Sequence, residues 1–206
     1  MHQKFYLRIL IVCCASLMAL FAVHFLFGQK AEKSLVLQEM SWVDVQNYLK
    51  TNDMVIIPIG STEQHGPHLP LGTDYYAATG MAKMISTRTG VVVAPVVLAG
   101  YSFYHSGFPG TLSLKPETLE QVLFETAAML VKYGFRRIMF FNYHGGNTIA
   151  ESNVIYRINQ TTEAVATAIG HGSSVHKEEE DAPFFDWHAG ISETSMMLFL
   201  RPDLVN

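Results

Sequence analysis

The sequence predicts an α/β protein built on a parallel sheet and preceded by one N-terminal apolar helix. Three observations predict it. From residue 41 onward, short apolar runs alternate with amphipathic helical patterns, which implies parallel pairing through right-handed crossovers. The 206-residue chain is 49% hydrophobic, 12% aromatic and 16% charged, so it can bury one core of ordinary size and is too apolar for disorder. Ahead of the alternating part lies a charge-free run of 20 residues, Ile9 to Gly28.

That run contains only His24 as a strongly polar group and as a helix would measure ~30 Å, enough to cross a hydrocarbon core. Lys4 and Arg8 precede it, and no acid occurs before Glu32. It is longer than the ~7–15 apolar residues of a signal peptide, and Leu26-Phe27-Gly28 is a poor cleavage site. The expectation for residues 1–28 is therefore a membrane anchor spanning through 9–28, with the following domain extracytoplasmic. The alternative is secretion after signal cleavage. Cys13 and Cys14 fall inside the run, as acylation sites or as small lipid-facing residues. They are the only cysteines, which excludes a disulfide scaffold. Without residues 1–28 the net charge falls from −4 to −6, leaving no basic stripe and no nucleic-acid partner.

Residues 29–40 read as a linker, and 41–206 as one domain. Ser41 with Asp44 three residues on resembles a capping box, opening a helix through about Lys50. Val55 to Ile59 is a short buried strand ending at Gly60. A helix from Asp74 to Thr87 leads to a second strand, Val91 to Val97. Pro116 suits a first helical position, and Gly134 stops that helix after Tyr133. Ile138 to Phe141 is a third strand, followed by a helix from about Asn147. Ala164 to Ile169 is a fourth strand, and Glu193 to Leu200 a last helix. Ligands in open parallel sheets bind beyond the carboxyl ends of the strands. The loops to read are therefore 60–73, 98–115, 142–147 and 170–192, which hold most of the histidines.

In the first loop, Glu63 and His65 are two residues apart, so an extended backbone points both the same way. Asp74, at the start of the next helix, can turn back towards them. His144 arrives from the third strand, followed by Gly145 and Gly146. The last segment adds His188 and Glu193. Five residues apart, these do not share a helix face, so His188 should precede the helix and Glu193 lie within it. Taken singly, Glu63 or Asp74 reads equally as a cap or surface acid, and His144 as a ring bonded to a carbonyl. Together, three loops on one sheet edge deliver carboxylates and imidazoles suited to Zn or Mn. Three carboxylates with neutral rings carry −3; two divalent ions and a bridging hydroxide bring the sum to zero, which favours a pair of ions. Tyr101, Ser102, Tyr104 and His105 lie in a loop expected to face these ligands, as pocket residues. Trp187 is either a platform for a flat substrate or a core residue.

Gly60-Ser-Thr-Glu-Gln-His-Gly-Pro-His-Leu-Pro-Leu-Gly-Thr-Asp74 closely resembles the signature of the creatininase (creatinine amidohydrolase) family. Phe108-Pro-Gly-Thr-Leu-Ser113, Asn142-Tyr-His-Gly-Gly-Asn147 and His188-Ala-Gly-Ile-Ser-Glu-Thr-Ser195 resemble its later motifs in order. The resemblance covers roughly residues 36–206. It implies a three-layer α/β/α fold, a binuclear Zn/Mn centre and usually a hexamer. Glu63, His65, Asp74 and His144 would be metal ligands, with Asp74 bridging. His188 would be catalytic, and Glu193 a ligand or catalytic carboxylate. Creatininase proper has a Tyr-Glu pair where this chain has Gly145 and Gly146, which removes a ligand that Glu193 would replace. That departure argues against creatinine and towards another small amide or a short peptide. Members generally continue for several tens of residues past the segment matching Leu198 to Asn206, so a shortened product is a further expectation. A non-catalytic metal-binding relative is the alternative from a different class.

Overall fold

Four strands form one wholly parallel sheet in the computed structural model, which describes residues 34–97, 99–170 and 188–206. Strands β1 (Met54–Ile59), β2 (Val92–Val93), β3 (Arg137–Asn142) and β4 (Val165–Gly170) lie in the order β2-β1-β3-β4. Five helices accompany them: α1 (Trp42–Leu49), α2 (Thr73–Thr89), α3 (Pro116–Tyr133), α4 (Thr148–Thr161) and α5 (Ile191–Leu200). The expected anchor at 9–28 and Trp187 lie outside the described residues. Among the described residues no helix is long and apolar enough to cross a membrane.

The layers follow from strand parity. Val55, Ile57 and Ile59 of β1 face one way, into a core with Leu119, Leu123 and Ala127 of α3 and Ala150, Val154 and Ile158 of α4. Ile56 faces the other way, against Ala78 and Ala82 of α2. Both faces of β1 are therefore buried, which is why its sequence is a continuous apolar run rather than an alternating one. The result is the three-layer α/β/α arrangement that the resemblance implied.

The crossovers explain which helix covers which face. The chain leaves β1 for β2 in one direction, then passes back over β1 to β3 and on to β4 in the other. Right-handed crossovers running in opposite directions put their helices on opposite faces. The reversal falls between β1 and β3, so the loops leaving their carboxyl ends splay apart there and open a crevice.

Boundaries match the sequence expectations closely, with one difference. The second strand was expected over Val91 to Val97, but only Val92–Val93 pairs as a strand. Pro58 of β1 has no N–H to give to this neighbour, and beyond Ala94 the pairing slips by one residue. The seam survives as separate bonds, Ala94 N–H to the Ile56 carbonyl (2.8 Å) and Val97 N–H to the Pro58 carbonyl (3.2 Å).

Helix α1 opens on a capping box: the Ser41 hydroxyl accepts from Asp44 N–H (3.2 Å), and Asp44 accepts from Ser41 N–H (2.9 Å). Replacing Ser41 by Ala is expected to lower unfolding stability by about 1 kcal/mol. A lower denaturant midpoint at unchanged slope is the result to look for.

Candidate metal centre

The crevice between β1 and β3 collects the acids and imidazoles. Beyond Ile59 the chain runs directly under the start of α2, where a Cβ on Gly60 would lie 2.9 Å from the Tyr75 backbone. This crossing brings Asp74, in the first turn of α2, over the loop that carries Glu63 and His65. All three are about 1% exposed. His144 enters from the end of β3, and Glu193 from the first turn of α5.

Asp74 is the hinge of the arrangement. Its Oδ1 lies 3.3 Å from His65 Nε2, and its Oδ2 lies 3.0 Å from His144 Nδ1. His144 Nδ1 is also 3.3 Å from Glu63 Oε1, and His65 Nε2 is 3.8 Å from Glu193 Oε2. Two donor groups result, Glu63/Asp74/His144 and His65/Asp74/Glu193, each with one atom per residue and those atoms within 4.8 Å of one another. A third group, Glu63/His65/His188, overlaps both.

Each imidazole is held by the nitrogen it turns away. His65 Nδ1 donates to the Glu63 carbonyl (3.0 Å), and His144 Nε2 to the Tyr101 carbonyl (2.9 Å). That turns His65 Nε2 and His144 Nδ1 towards the carboxylates, where each could give its lone pair to a cation held among them, as in metal-ligating histidines. The Ser61 hydroxyl donates to Asp74 Oδ2 (2.6 Å).

Charges are strongly coupled here. Burial opposes the Asp74 charge, but the His144 and His65 rings beside it outweigh it and hold the carboxyl well below its usual range. Burial likewise opposes a proton on His65; Asp74 and Glu193 overcome it and raise the ring to about 9. His144 is raised by the same contest, chiefly through Asp74. Glu63 is pushed up by burial against the pull of His144. A cluster that draws protons onto its rings is one that attracts positive charge. Two of its atoms, Glu63 Oε2 and His65 Nε2, are buried without a hydrogen-bond partner among the described residues. Orphaned donor atoms of these types in one buried cluster fit a divalent cation.

His188 sits at the edge of the cluster. Its Nε2 donates to the Gln64 carbonyl (2.7 Å), and its Nδ1 faces Glu63 Oε1 at 3.8 Å. As expected, His188 precedes α5 and Glu193 lies inside it. Ala189 takes a left-handed φ of 52° between them, and its N–H donates to Glu193 Oε2. His105 stacks on His188 at 4.6 Å, with its Nε2 3.8 Å from Glu63 Oε1. Ser102 and Tyr104 bring their hydroxyls to 3.3 and 3.2 Å from His144 Nε2. Tyr101 differs from the expectation in part: its carbonyl holds His144, while its ring packs against the core and Tyr104.

Sequence reasoning passed over Ser61 and Gln64, although both lie within the first motif. The Gln64 amide nitrogen lies 3.0 Å from His105 Nδ1 and 3.1 Å from His188 Nε2, between the two rings. It also passed over the buried set Asn142, Asn147 and Glu151. Glu151 carried a signal, as an acid at helical spacing from the buried Val154 and Ile158.

The second glycine after His144 has a steric reason. A Cβ on Gly146 would fall on the Tyr101 carbonyl, 2.6 Å from His144 Nε2 and 2.8 Å from the Tyr104 hydroxyl. No side chain fits there, so no ligand can come from that position.

Fold and site together define a parallel-sheet α/β/α protein with a buried carboxylate–imidazole cluster at the switch point of its sheet. The family model for creatininase, creatinine amidohydrolase, matches residues 38–206, and the chain belongs to that family. It is 40% identical over 156 residues to the mycofactocin precursor peptide peptidase of Mycolicibacterium smegmatis, covering 73% of this chain and 59% of that protein. It is 30% identical over 194 residues to the creatinine amidohydrolase of Pseudomonas putida, covering 84% and 75%. Among solved structures, the manganese form of creatininase superposes with a TM-score of 0.74 at 27% identity, over 84% of this chain and 76% of that one. The chain thus spans about three fifths of the length of the peptidase it matches.

Proposed function

We propose that this chain is a metal-dependent amidohydrolase that cleaves an amide or cyclic-amide C–N bond at a binuclear centre. One observation carries the reading: each oxygen of Asp74 addresses a different imidazole, and each imidazole has its own further carboxylate. Glu63 and His144 would hold one ion, His65 and Glu193 a second, with Asp74 shared. The mixed nitrogen and oxygen donors suit zinc or manganese. When bound, such a pair supplies an acidified water and an electrophile for the carbonyl oxygen.

The chain's own side chains do the rest. His188 presents Nδ1 to the cluster while Gln64 fixes its other nitrogen. That atom can take the proton of the attacking water and return it to the leaving nitrogen. Glu193 acts as a ligand rather than a base, because its Oε2 faces His65 and accepts the Ala189 N–H.

The departure at Gly145 and Gly146 supports a Gly-Gly type of family member with a substrate other than creatinine. A second reading, a peptidase for short peptides, is favoured by the 40% identity with a peptide-processing relative. Tethering through residues 9–28, an extracytoplasmic domain and a homo-oligomer belong to the proposal as well. The apolar run supports the first two, and the family resemblance the third.

Elemental analysis of the purified chain tests the core of this reading. About two zinc or manganese ions per chain are expected, falling to one or none in Glu63→Gln and in His144→Ala. Hydrolysis of cyclic amides, formamides and short peptides then separates the two substrate classes. A folded parent that takes up no metal when zinc and manganese are supplied would overturn it.

A further inference from the structure

Three side chains next to the cluster have no part in the chemistry above. Asn142, Asn147 and Glu151 are each at most 2% exposed. Asn142 Oδ1 accepts the His144 backbone N–H (3.0 Å) and lies 3.4 Å from Asn147 Nδ2. Asn147 in turn donates to the Gly60 carbonyl (3.0 Å) and accepts from Tyr101 N–H (3.0 Å). The two amides therefore tie together the loop after β1, the loop that follows β2, and the turn that carries His144.

An amide can serve this way in only one orientation. The Asn142 oxygen must face the His144 N–H, so its nitrogen must find an acceptor elsewhere. Glu151 Oε2 is that acceptor, at 3.1 Å. Apart from this bond Glu151 is poorly placed. It shares the inward stripe of α4 with Val154 and Ile158, and its Oε1 has no partner among the described residues. Burial pushes its carboxyl up to about 7, partly opposed by the Asn142 bond. A leucine there would remove the buried carboxyl and its unsatisfied oxygen, at the cost of the bond to the Asn142 nitrogen.

We infer that Glu151 is a positioning residue for the metal centre: it locks the orientation of the Asn142 amide, and through it the backbone of His144, so that His144 Nδ1 faces Asp74 and Glu63. This rests on reading His144 as a metal ligand. It assigns a role to a side chain that reaches neither ion nor substrate.

The test compares two quantities that a merely structural residue would move together. Zinc affinity is measured on the full chain by competition with a chromogenic chelator, and metal-free melting temperature by calorimetry. In Glu151→Leu the relieved carboxyl and the lost Asn142 bond offset each other, so the melting temperature is expected to stay near the parent's while zinc affinity drops by about 10–100-fold. Glu151→Gln keeps a carbonyl oxygen for the Asn142 amide and is expected to restore affinity to within a few-fold of the parent. Asn142→Ala combined with Glu151→Leu should bind zinc no more weakly than Asn142→Ala alone, as for two members of one relay. Parental zinc affinity in Glu151→Leu would overturn the inference. So would a parallel loss of melting temperature and affinity that glutamine fails to rescue. A parent chain that binds no zinc would instead remove the metal reading, and this inference with it.

Discussion

Asp74→Asn is expected to hold at most one ion per chain and to lose turnover by on the order of 10³-fold or more, about 4 kcal/mol of transition-state stabilisation. The substitution keeps the shape of the side chain and changes what one atom offers. An amide has one oxygen, so its NH₂ must face either the His65 Nε2 side or the His144 Nδ1 side, and the residue could then serve only one of two ions. Ser61→Ala is the graded companion, because it removes only the hydroxyl that donates to Oδ2. A hydrogen bond to a charged group is worth about 1.5–3 kcal/mol, so the serine variant should fall by about 10–100-fold. Elemental analysis and steady-state turnover read both. Two ions per chain in Asp74→Asn would remove the bridging assignment.

Gly146→Ala is expected to be the most damaging single methyl group in the site. Its Cβ would strike the Tyr101 carbonyl and crowd the Tyr104 hydroxyl, the two oxygens beside His144 Nε2, and that nitrogen itself. Overpacking of this kind costs about 1–3 kcal/mol. Here it also breaks the hydrogen bond that turns His144 Nδ1 towards the acids, so zinc affinity should fall with stability. Gly107→Ala is the control. It lies in the same stretch as the pocket residues, yet a Cβ there meets nothing within 4 Å. Thermal melts and zinc competition should leave Gly107→Ala at parental values. Equal behaviour of the two variants would show that the crowding at 146 is absorbed.

The cluster was readable in the sequence because its members obey local rules. Glu63 and His65 are spaced for one side of an extended loop, Asp74 sits where a helix must start, and His144 follows a short apolar strand. Those placements need only the periodicity of single elements and the rule that ligands gather at carboxyl ends of parallel strands. What the sequence hid is cooperation across distance. Ser61 matters through Asp74, Gln64 through His105 and His188, and Glu151 through Asn142. No periodicity marks a hydrogen bond made between loops. The shortened second strand failed for a different reason: the proline that interrupts its pairing is Pro58, which lies in the neighbouring strand.

The pairing of β1 with β3 has a consequence for the birth of the protein. Ile59 finds its neighbour in Asn142, 83 residues further along the chain. At synthesis rates of about 5–20 residues per second, the centre of the sheet waits roughly 4–17 s for its partner to be made. During that interval β1 is an apolar strand with an open edge, the kind of segment that chaperones shield. The acid–imidazole cluster spans a still longer stretch, from Glu63 to Glu193. On the metal reading proposed above, loading would have to wait until Glu193 has been made and folded against His65.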